Sequence, residues 1–154
     1  MFNIKNYRLG FEFCGFILTI AILLPTLIWT TVPAPHDVLR SAVTTTPLGI
    51  AAIVLRSLTM LASMFVVNRE SGEPYFNVEA LLIFSFGAIY YAGWFLYYAG
   101  LACVVALVFI AVAPVVMFVS LAVDRKNMFS LTLSIAFAAL HLVCIIIGIT
   151  SMTV

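Results

Sequence analysis

Residues 80–123 read ALLIFSFGAIYYAGWFLYYAGLACVVALVFIAVAPVVMFVSLAV, and no Asp, Glu, Lys, Arg or His interrupts them. As one helix this run would be about 66 Å long at roughly 1.5 Å per residue, about twice the hydrocarbon thickness of a bilayer. It must cross, turn and cross back. The turn falls at Tyr97-Tyr98-Ala99-Gly100, where glycine accepts a positive φ and tyrosines suit a headgroup boundary.

Outward from that hairpin, charges, prolines and turn residues punctuate the chain into five apolar segments, at about 10–31, 48–67, 79–98, 101–123 and 128–150. Each is long enough to span. The whole 154-residue chain is 65% hydrophobic and 8% charged, with a mean hydropathy of +1.23. A water-facing domain carries roughly 25% charged residues, so no such surface can be built here. The reading is a single all-α membrane domain over residues 1–154, a five-helix transmembrane bundle whose first partner is the lipid bilayer. Seven Lys and Arg against six Asp and Glu give no excess that would attract nucleic acid. Cys14, Cys103 and Cys144 all lie in apolar runs without C-x-x-C spacing, which argues against disulfide, redox or zinc roles.

Lys5 and Arg8 before the first apolar run have the look of a signal peptide's basic region. The run is longer than the usual 7–15 or so residues, however, and a cut after Ala34 would fall just before Pro35. It is expected to stay as the first span. Lys5, Arg8, Arg69, Arg125 and Lys126 then share one side and Arg40 stands on the other, which favours the N-terminus inside and the C-terminus outside.

Arg56 is the most unusual residue, because it lies within the second span, where a charge costs at least about 2.5–3.5 kcal/mol. Gly49, Ala52, Arg56, Thr59 and Ser63 recur at helical spacing and form one small, polar stripe that should face other helices. Its guanidinium would bind an anion or orient a ligand; the alternative is snorkelling or bonding to helix carbonyls. His141, with Ser134, Ala138, Ile145 and Gly148 on its face, lies at a similar depth. It would accept a proton, hold a metal or haem, or pack by bonding across helices. Tyr90 and Tyr91 of the third span share that depth, with Thr26 and Trp29 of the first span nearby. Together they make a candidate outer-leaflet cavity. Trp94, Tyr97 and Tyr98 lie close enough to the outer end for an aromatic belt to explain them, although Trp94 also borders the candidate cavity.

The outer loop Val32-Pro33-Ala34-Pro35-His36-Asp37-Val38-Leu39-Arg40 is stiffened by two prolines. With His36, Asp37 and Arg40 it would form a lid over the cavity, or an ordered interfacial loop in which Asp37 caps a short helix and neighbours Arg40. Glu12 follows Arg8 by one helical turn, which predicts a boundary ion pair. Pro25 and Pro114 each remove one intrahelical bond and free the carbonyls of Ala21 and Ile110. No metalloprotease motif, phosphate-cradling glycine loop, Ser/His/Asp set or acidic metal cluster is present, so no catalytic or metal-binding residue and no cofactor is assigned.

The segment from Trp29 to Arg40, followed by Tyr-Tyr-x-x-Trp-x-x-Tyr-Tyr at 90–98 and Asp124-Arg125-Lys126-Asn127, resembles a group of small multi-pass membrane proteins of Gram-positive bacteria. The resemblance implies a bacterial plasma-membrane location and brings no activity or site residues with it. In size and five-span layout the chain is also similar to the tryptophan-rich sensory (translocator) proteins, which bind porphyrins and sterol-like ligands; two tryptophans, Trp29 and Trp94, are present here. Three functions follow as expectations. The first is binding or movement of a small anionic, aromatic or lipid-like ligand. The second is an accessory role beside a larger membrane partner or a second copy of the chain. The third is a cofactor-dependent membrane enzyme using His141.

Overall fold

Three of the five apolar runs begin at a residue whose side chain closes the first helical turn. Thr46 accepts from the Gly49 N–H at 3.1 Å, Asn77 from Ala80 at 2.8 Å and Asn127 from Ser130 at 3.0 Å. The computed structural model describes residues 4–35, 37, 39, 46–73, 75–101 and 103–152. Among these are five helices long and apolar enough to cross a membrane: α1 (Phe13–Thr31), α2 (Pro47–Phe65), α3 (Val78–Tyr98), α4 (Val104–Asp124) and α5 (Met128–Met152). The chain is a multi-pass integral membrane protein with an all-α bundle fold.

The hairpin inside residues 80–123 turns where expected. Gly100 has φ 81°, its N–H bonds to the Tyr97 carbonyl at 3.2 Å, and the Leu101 N–H reaches back to Leu96 at 3.0 Å. This is the double bond of a left-handed helix cap, which glycine accepts without strain. α4 ends the same way around Lys126, a non-glycine residue at φ 50°, with Lys126 bonded to Val123 and Asn127 to Ala122.

Helix α4 is the centre of the bundle. Half of its most apolar window is buried, and α3 and α5 pack on it most extensively, with α1 and α2 also in contact. α2 pairs with α5, and α1 crosses α2. Leu18 and Ile22 of α1, Met60 of α2, Tyr90, Trp94 and Tyr97 of α3, and Leu107, Met117, Phe118 and Leu121 of α4 fill the interior. Ile17, Leu24, Leu58, Phe84, Phe95, Ile135 and Ile146 point outward and remain exposed, as lipid-facing side chains do.

One end of the bundle carries a feature absent from the expected layout. β1 (Tyr7–Leu9) and β2 (Val66–Asn68) pair antiparallel in the register Tyr7↔Asn68, Arg8↔Val67, Leu9↔Val66. Backbone bonds from Gly10 to Phe65 (3.0 Å), Glu12 to Met64 (2.8 Å) and Arg69 to Asn6 (2.8 Å) lengthen the ladder at both ends. α1 therefore starts at Phe13 rather than near residue 10, and α2 stops at Phe65, because residues 7–12 spend their backbone donors on the strand. The ladder brings α1 onto α2 at Gly15, where a Cβ would land on the Ser63 carbonyl group.

The same strand changes the partner of Glu12. With Arg8 in an extended segment, the helical spacing that would join Arg8 to Glu12 does not exist. Glu12 pairs instead with Arg125 at the end of α4, Oε1 to Nε 3.2 Å, both side chains about nine-tenths buried. Arg125 Nη1 also donates to the Gly72 carbonyl at 2.9 Å. Asn127 completes this end: its Nδ2 donates to the Val66 carbonyl at 2.7 Å and to that of Ala62 at 3.1 Å. Ala62 lies in the last turn of α2 and Val66 is the residue that follows it and opens β2, so Asn127 ties down the junction between helix and strand. The Lys126 carbonyl accepts from Asn68 Nδ2 (2.8 Å) and Tyr7 Oη (3.1 Å).

Candidate functional site

Arg56 is the middle residue of α2, about 14 Å from either end at roughly 1.5 Å per residue. Gly49, Ala52, Thr59 and Ser63, the other members of its stripe, are all buried, so the stripe faces the bundle. Ser63 Oγ meets Ser130 Oγ of α5 at 2.7 Å, which pins the α2–α5 seam. Seven residues on from that contact in each helix stand Arg56 and Phe137; one turn further along α5 is His141, stacked on Phe137 with centroids 4.8 Å apart. Arg56 lies within electrostatic reach of both His141 and Tyr90 of α3. Its half-buried guanidinium has no hydrogen bond or ion pair among the described residues.

Two of the tyrosines have a structural role that explains their position. The Tyr91 hydroxyl donates to the Ala21 carbonyl at 2.8 Å, the acceptor left open because Pro25 has no N–H. Tyr90 donates to the Ile22 carbonyl at 2.8 Å, with Thr26 Oγ1 at 3.5 Å from the same hydroxyl. α3 thus repairs the proline gap of α1. Tyr91→Phe is expected to lower the unfolding free energy by about 1 kcal/mol, the size of one hydrogen bond. Adding Pro25→Ala should recover most of that loss in thermal unfolding, since the restored N–H at 25 can serve Ala21.

Trp94 and Tyr97 were expected at a headgroup boundary, and they turn inward instead. Tyr97 is 0% and Trp94 6% exposed. The reason is Asp37 of the 32–40 loop: its Oδ1 accepts from Trp29 Nε1 at 2.9 Å and from the Tyr97 hydroxyl at 3.0 Å. Tyr97 Oη in turn accepts from the Leu39 N–H at 3.1 Å, and Tyr98 donates to the Val32 carbonyl at 2.7 Å. A buried phenol needs such partners, and the loop provides them. Trp94 packs between Trp29, Tyr90 and Tyr97, with centroids 5.9–6.4 Å away, and its buried Nε1–H meets no acceptor within hydrogen-bond geometry among the described residues. Of the three loop residues singled out in the sequence, Asp37 is the anchor; His36 and Arg40 lie outside the described residues.

Arg56 is thus within electrostatic reach of Tyr90 and of His141, which stand on two other helices, and Thr26 is beside Tyr90. Trp29, Trp94 and Asp37 form a second cluster nearer the loop, joined to the first through the Tyr90–Trp94 contact. What the sequence did not disclose is the polar assembly at the strand end, where Glu12, Asn68, Arg125 and Asn127 interlock. Its sequence signals were the boundary ion pair expected of Glu12, with the wrong partner, and a surplus of basic residues on that side.

No known protein-family model matches this chain, and neither a curated protein nor a solved structure does so.

Proposed function

We propose that this membrane protein binds a small anionic, aromatic or lipid-like ligand at the level of Arg56, and does so without catalysing a reaction. The observation that carries the reading is the guanidinium midway along α2, which has no hydrogen bond or ion pair among the described residues, with Tyr90 and His141 in electrostatic reach. A cation held at that depth is expensive, and a carboxylate or phosphate would neutralise it through two parallel hydrogen bonds. The same planar group also stacks on aromatic rings. Basic residues concentrated at the strand end support an N-terminus-inside orientation, and the binding layer, midway along α2, lies near the bilayer centre rather than in the outer leaflet. The bacterial plasma membrane is the proposed location, on the resemblance carried by the Trp29–Arg40 segment.

Trp94 and Trp29 supply the readout. Dibromostearate, an anionic amphiphile whose bromines quench indole fluorescence, is titrated against the full chain in neutral detergent. Saturable quenching is expected, weakened about tenfold by Arg56→Gln, with Arg56→Lys intermediate because it keeps charge but not the fork. The methyl ester, which lacks the carboxylate, should bind like the Arg56→Gln variant. Equal affinity of wild type and Arg56→Gln would remove the basis for this reading.

A further inference from the structure

The strand end holds a second candidate site, independent of Arg56. A polar depression of about 250 Å³ opens between the small sheet and the 69–73 segment, lined in part by Arg8, Phe11, Arg69 and Arg125. Glu12 and Glu73 line it as well. Arg125 and Glu12 are paired and cancel, so Arg8 and Arg69 against Glu73 leave one net positive charge. Arg8 and Arg69 are both exposed, and neither has a side-chain hydrogen bond or ion pair among the described residues. Both follow from the ladder, since Arg8 is the middle residue of β1 and Arg69 directly follows β2.

The depression stands where helix gives way to strand, which is where a bilayer gives way to headgroups. Phe11, on its rim, is 57% exposed, and its ring packs toward Phe16 and Phe65 with centroids at 5.3 and 6.3 Å. Phe13, the first residue of α1, is 63% exposed. Apolar rings on one side and two free guanidiniums on the other match an amphiphile better than a free ion.

We infer that this depression binds the phosphate of an anionic phospholipid from the adjacent leaflet. Arg8 and Arg69 hold the phosphodiester, whose single negative charge equals the net charge of the site, and the acyl chains run down past Phe11 and Phe13. Arg-to-phosphate contacts of this kind are short, directional and charge-assisted.

The test uses the full chain in nonionic detergent with equal amounts of phosphatidylglycerol and phosphatidylcholine, read by native mass spectrometry. Wild type should retain phosphatidylglycerol preferentially. Arg8→Gln with Arg69→Gln should reduce that retention at least about tenfold, while Arg8→Lys with Arg69→Lys should keep most of it. Thermal unfolding of the Gln pair should match wild type, since neither side chain makes an internal bond. Arg56→Gln should leave the preference intact, which separates this site from the mid-span one. Equal retention by wild type and the Gln pair would overturn the assignment, as would loss of the preference in Arg56→Gln. Displacement of phosphatidylglycerol by millimolar inorganic phosphate would overturn the lipid in favour of a free anion.

Discussion

Glu12→Ala is expected to cost about 3 kcal/mol of folding free energy, whereas Arg8→Ala should change it by less than about 0.5 kcal/mol. Removing the Glu12 carboxylate leaves the Arg125 guanidinium about nine-tenths buried with only the Gly72 carbonyl and a distant Asp124 oxygen at 3.9 Å to replace it. A stranded buried charge is the most costly way to break an ion pair, well beyond the worth of the pair itself. Arg8, by contrast, is exposed and has no side-chain bond or ion pair among the described residues. Thermal unfolding in detergent measures both. Combining Glu12→Arg with Arg125→Glu should recover part of the loss. Similar midpoints for Glu12→Ala and wild type would show that the 3.2 Å contact carries no weight.

Gly15→Ala is expected to cost about 2–3 kcal/mol, and Gly15→Leu to prevent recovery of folded protein. The added methyl meets the carbonyl of Ser63, which is backbone and cannot rotate away. α1 and α2 must then separate. Any separation strains the Ser63–Ser130 contact and the two bonds from Gly10 and Glu12 to the end of α2. Gly72→Ala is the matched control, since nothing lies within 4 Å of a Cβ there and no loss beyond about 0.5 kcal/mol is expected. If both alanine variants unfold at the wild-type temperature, the helices do not approach as closely as the glycine implies.

Much of the architecture was legible because it rests on local chemistry. The uncharged run at 80–123 forced a hairpin, and Gly100 marked its turn. The stripe from Gly49 to Ser63 pointed inward because small residues let helices approach. Pro25 announced an open carbonyl at Ala21, although not that Tyr91 would fill it. Long-range pairing was beyond reach. Glu12 has its partner more than a hundred residues away, and nothing in its neighbourhood distinguishes Arg125 from Arg8. The two strands are three residues each, too short for alternation to register. Trp94 and Tyr97 sat where boundary aromatics belong, and only Asp37, from a proline-rich loop, reveals why Tyr97 faces the interior. At the candidate site, depth along each helix followed from spacing, but the rotation that sets Tyr90 against the Ile22 carbonyl and His141 against Phe137 did not.

The Tyr7–Leu9 ladder also carries a message about biosynthesis. Its partner strand is translated some sixty residues later, after a second span has entered the bilayer, and the carbonyls of Ala62 and Val66 wait longer still for Asn127. The opening segment therefore leaves the ribosome with its pairing groups unspent and is locked only once the second span is placed. Final closure falls to the residue just before the last span, so a chain truncated before residue 127 would leave the end of its second helix without these two bonds.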